Sequence, residues 1–202
     1  DNVAIGYNAL SAASTVSNNT CIGSGAGDAL ITGNNTAVGK DALGTTSGAD
    51  CTAIGYRALL VNTAASNTAV GSGAAKAVTT AVKITAVGYN AFTQGTGANN
   101  TCVGYNAGTN ITSGTDNVCI GTDCGPSGAV FGSFALGAST LTGTSGSIGN
   151  CVGIGYLALT GTNTAGEHVV IGSSAGRGNM GGNSGLTAIG YSAGNANTAA
   201  FT

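Results

Sequence analysis

The chain has 202 residues and a mass of 19.0 kDa, with 37 Gly, one Pro, no Trp and only 6% charged residues. A soluble domain ordinarily carries roughly 25% charged residues, so a conventional enzyme is disfavoured, while 42% hydrophobic residues and a mean hydropathy of +0.27 argue against intrinsic disorder. The net charge is −2 and the five basic residues, Lys40, Arg57, Lys76, Lys83 and Arg177, are scattered, which excludes the basic patch that nucleic-acid binding needs; no apolar run is long enough to span a bilayer.

Read in chain order, one short motif returns every 16 to 18 residues: Asn-Thr-Ala-(Ile/Val)-Gly-(Tyr/Ser)-x-Ala-(Leu/Gly). Its central glycines are Gly6, Gly23, Gly39, Gly55, Gly71, Gly88, Gly104, Gly121, Gly137, Gly155, Gly172 and Gly190. Residues 1–202 therefore read as a single repeat domain. Before each glycine stands a branched aliphatic residue, from Ile5, Ile22 and Val38 through to Ile189, preceded by a small residue and then by Thr, Val or Phe134. This alternation predicts a strand ending at each glycine. The six tyrosines, Tyr7, Tyr56, Tyr89, Tyr105, Tyr156 and Tyr191, all follow the glycine directly, and a small residue comes two positions later. That pattern predicts a second short strand, with Gly, Asn, Ser and Thr completing each copy as a turn.

So short a period excludes a helical-hairpin repeat and fits one coil of a parallel β-solenoid. About twelve coils at a spacing of ~4.8 Å make a rod of roughly 55 Å. The invariant glycine is expected at a sharp bend requiring positive φ or close approach. The aliphatic column is expected as a buried ladder, with Ala and Cys filling a narrow interior. A single stack looks thin against the cost of ordering its backbone, so further burial between chains, as in a trimer, is expected.

The segments Asn2 to Gly6, Asn35 to Gly39, Asn67 to Gly71 and Asn117 to Gly121 resemble the head repeats of trimeric autotransporter adhesins. The longer form with Tyr-Asn-Ala after the glycine, as in Gly88 to Ala91 and Gly104 to Ala107, is similar to repeats of bacteriophage tail-fibre proteins. Here the period is longer than the adhesin head's roughly 14 residues, and Thr often replaces its Val. The resemblance implies a left-handed parallel β-roll forming an elongated homotrimeric fibre that carries attachment at a cell or virion surface. Self-association as a homotrimer or filament is the expected partnership, with a host-surface glycan or protein as receptor. A phage tail fibre, a bacterial adhesin and an extracellular filament all satisfy these repeats.

No catalytic constellation, cofactor or metal site is expected. The single histidine, His168, lacks Cys at ligand spacing, and Asp41 and Asp123, which share a column, lie five coils apart. The six cysteines replace Ala or Asn of the motif and read as small packed residues. Cys102 and Cys119, in one column on adjacent coils, are the candidate disulfide, because the coil spacing falls within bridging range. The tyrosine column is the candidate receptor or glycan contact. The rank Thr20, Thr36, Thr52, Thr68, Thr85, Thr101 and Thr187 gives an ice-binding solenoid as a further alternative. The chain opens at Asp1 rather than Met, as a processed or partial product would.

Overall fold

The computed structural model describes residues 1–12, 15–45, 48–143, 149–161, 166–178 and 184–195. Twelve three-residue strands form one parallel sheet in strict sequence order: β1 (Val3–Ile5), β2 (Thr20–Ile22), β3 (Thr36–Val38), β4 (Thr52–Ile54), β5 (Thr68–Val70), β6 (Thr85–Val87), β7 (Thr101–Val103), β8 (Val118–Ile120), β9 (Phe134–Leu136), β10 (Val152–Ile154), β11 (Val169–Ile171) and β12 (Thr187–Ile189). Each strand pairs with the next at identical motif positions, as in Thr36↔Thr52, Ala37↔Ala53 and Val38↔Ile54. The architecture is an all-β parallel solenoid with one strand per repeat.

The glycine column behaves as its invariance requires. From Gly6 to Gly190 its φ angles lie between 127° and 141°, a region that side-chain-bearing residues avoid. Close approach adds to this constraint. A Cβ on Gly39 would lie 2.6 Å from the carbonyl oxygen of Gly55 on the next coil, and one on Gly55 would stand 2.5 Å from that of Gly71.

Two expectations are corrected. The segment after the glycine is a chain of turns rather than a second strand. In the first coil Asn8 and Leu10 both adopt φ near +55°, and the Ala9 amide donates back to the Gly6 carbonyl at 3.3 Å. Alternate left-handed residues coil the chain too tightly for a pleat. Their amides still run between coils: Leu43 donates to Ala58 and Arg57 donates to Lys40.

The aliphatic column is also not the core. Period-two alternation puts the small middle residue of each strand inside and its neighbours outside. Ala37, Ala53, Ala69, Cys102 and Cys119 are fully buried, whereas Ile54 is 40% and Leu136 38% exposed. Larger interior volume comes from the turn segment instead, from Leu43, Leu59, Phe92, Leu141 and Leu159, or from Leu30, Val78 and Ile111 further along it.

A second interior column, which the sequence reading did not place inside, opens every motif after the first: Asn19, Asn35, Asn67, Asn100 and Asn117, replaced by Cys51, Ile84, Ser133, Cys151, His168 and Leu186. Here the amide of one coil donates to the side chain of the coil before it. Asn35 donates to Asn19 Oδ1 at 2.9 Å, Ile84 to Asn67 Oδ1 at 2.9 Å and Ser133 to Asn117 Oδ1 at 3.0 Å. These bonds satisfy backbone donors that the narrow interior would otherwise strand. His168 continues the pattern: its Nδ1 accepts the Leu186 amide at 3.1 Å.

Candidate functional site

Charged residues occupy the turns, and none stands at any of the twelve strands. The tyrosine column runs along the corner beyond the glycines, with all six rings exposed to solvent. Tyr89 and Tyr105 stack across adjacent coils with ring centroids 5.3 Å apart and planes at 12°. Alongside them Asn106 Nδ2 donates to Asp123 Oδ1 at 2.9 Å. Tyr7, Tyr156 and Tyr191 stand apart, because Ser24, Ala138, Ser173 and other non-aromatic residues interrupt the column. The tyrosines therefore form one stacked pair and isolated rings rather than a continuous stripe.

Tyr56 has a different setting. Lys40 and Asp41 occupy the preceding coil at the registers of Tyr56 and Arg57, so three charged side chains and one aromatic ring meet on two rungs. Lys40 Nζ donates to Asp41 Oδ2 at 2.8 Å, and Arg57 Nε stands 3.6 Å from the same oxygen. The Arg57 guanidinium lies 5.0 Å and the Lys40 ammonium 5.8 Å from the Tyr56 ring centroid. The Lys40 hydrogen bond, with Arg57 adding to it, holds the Asp41 carboxyl below its ordinary range. Sequence reading counted these cations as scattered; the vertical coincidence of Lys40 and Arg57 around one ring becomes visible only when the two copies are stacked.

The cysteines point inward. Cys102 and Cys119 face one another in the β7/β8 register, and all six cysteines are buried free thiols. A hydrogen bond with Cys102, together with burial, raises the Cys119 thiol well above its usual range. Burial alone pushes Cys21 up to about 11 and is the main influence that pushes Cys124 up to about 12. Such thiols remain protonated at neutral pH and are poor nucleophiles and metal ligands. Among the described residues no group of three His, Cys, Asp or Glu side chains is placed to hold a metal ion. Glu167 is exposed and His168 buried, so these neighbours do not converge. No family model, curated protein or solved structure matches this chain.

Proposed function

We propose that the chain is a non-catalytic structural rod, a fibre segment of a host-attachment appendage of the phage tail-fibre kind, assembled as a homotrimer on an extracellular or virion surface. The outward aliphatic column supports this reading. In every coil an Ile, Val or Leu projects from a charge-free sheet face, and several of these side chains are more than a third exposed. Leaving so long an apolar line in water is unfavourable, at roughly 25 cal/mol for each Å². A partner meeting it rung by rung needs the same axial repeat, which another copy of this chain supplies. Cyclic symmetry about an axis parallel to the rod sets each rung against its own counterparts. The same body suits a bacterial surface adhesin or an extracellular filament.

Solution mass tests the assembly. Light scattering should give three times the 19.0 kDa chain mass, and Ile54→Arg combined with Val70→Arg should dissociate it. A wild-type monomer at micromolar concentration would overturn the trimer. A second reading draws on a separate observation: from β2 to β7 six successive rungs carry Thr beside Ile or Val on one outward face. Such a regular two-column array suits adsorption to an ordered water lattice. Thermal hysteresis by a monomer would establish it in place of the fibre.

A further inference from the structure

The Tyr56 cluster has more charge and aromatic surface than a structural turn requires. Two of the chain's five basic residues stand around one ring, and one carboxylate, Asp41, offsets them only in part. Both cations remain open to solvent, with side-chain exposures of 58% for Lys40 and 47% for Arg57. Tyr56 is itself 45% exposed, and the next coil carries Ser72 at its register, a side chain too short to cover the ring. At 3.6 Å, through Nε, Arg57 is loosely held by Asp41. Arg57 and Asp41 both sit at φ near +55°, in a column that elsewhere uses mostly Asn, Gly, Ser or Asp. An arginine there takes a left-handed backbone conformation that side-chain-bearing residues avoid, while 47% of its side chain stays open to solvent.

We propose that Lys40, Tyr56 and Arg57 form a contact site for an acidic pyranose, a sugar ring bearing a carboxylate. The C–H face of the ring packs on Tyr56, and the carboxylate takes the Arg57 fork with the Lys40 ammonium beside it. Asp41 competes for both cations in the free protein and keeps them aligned. The stacked pair Tyr89 and Tyr105, beside Asp123, lacks this cationic partnership and serves as the internal contrast. This inference names a receptor class for the attachment role proposed above and rests on it.

Calorimetric titration with oligogalacturonate, hyaluronan hexasaccharide and sialyllactose, each against its carboxyl-esterified or asialo counterpart, tests the site. At least one acidic probe should bind while its neutral counterpart does not. Binding should weaken about tenfold or more in Lys40→Gln/Arg57→Gln, weaken in Tyr56→Ala, fall with rising salt and strengthen in Asp41→Asn. Tyr89→Ala/Tyr105→Ala should bind as wild type does. Binding of none of the acidic probes, equal binding of neutral ones, or affinity that survives Lys40→Gln/Arg57→Gln overturns the inference. Solution mass separates the two readings: a trimer that ignores these sugars refutes the site alone, and a monomer that binds them refutes the fibre alone.

Discussion

The coil carrying β3 and the coil carrying β7 fill the same interior by opposite means. In the first, Ala37 is the inward strand residue and Leu43 fills the space from the turn, although its φ of +48° is unfavourable for a leucine. In the second, the strand supplies the larger Cys102, Gly108 takes the left-handed position without strain, and Ile111 enters from further along the turn. A Cβ on Gly108 would collide with Cys102 Sγ. The same exchange recurs where Cys21 faces Gly27 and Cys119 faces Gly125, with Cβ contacts of 2.5 Å and 2.8 Å to the respective sulfurs. Cross-section is therefore the conserved quantity, and the backbone cost of a left-handed leucine, about 1 to 2 kcal/mol, is met by burying roughly 1.5 to 3 kcal/mol of side chain.

The largest effect should come from forcing one coil type on the other. Gly108→Leu should destabilise by about 3 kcal/mol or more through overpacking. Adding Cys102→Ala and Ile111→Ser, which converts the coil to the β3 type, should recover over half of that loss; denaturant midpoints that show no recovery would break the comparison. Next, Leu43→Ala should cost about 2 to 5 kcal/mol, since this leucine is fully buried in the core. The asparagine column is common to both types, so Asn35→Ala and Asn117→Ala should cost alike, about 1 to 3 kcal/mol, each stranding an amide on the following coil. Unequal losses would show that the coils differ in backbone bonding as well as in packing.

The smallest effect concerns the thiols. The Cys21 pKa is raised from an ordinary value of 9.0 to about 11. Its neutral form is thus favoured by folding, and its contribution to stability should be intact below pH 9 and fade as pH rises through about 11. Alkylation at pH 8 should be slow when folded and reach six sites on unfolding. A count of four would report a Cys102 to Cys119 bridge.

Much of this was legible because the repeat aligns like with like. Gly6 through Gly190 marked the corners, and the small column of Ala37 and Cys102 marked a narrow interior. The outward turn of Ile54 escaped because hydrophobicity alone does not say which face a chain-chain contact occupies. The tyrosine segment resembled a strand since alternate left-handed residues have the same period of two as a pleat. Asn35 opens the motif in sequence, yet nothing there sets its role apart from that of its neighbour: Asn34 bends the chain at φ 63° while Asn35 is buried as an acceptor. Only the fold separates those roles. The tool that would have found the Tyr56 cluster in sequence was vertical reading of columns for charge as well as for size.

The strictly sequential order of the strands has a mechanical consequence. Hydrogen bonds such as Thr52 to Asn67 and Gly55 to Val38 point along the stack, so tension applied between its ends passes through every junction in series. Each junction then bears the whole load, and the rupture force is that of the weakest one, however many coils are added. Lengthening such a chain by whole repeats extends its reach by one rise per coil while leaving its breaking strength unchanged.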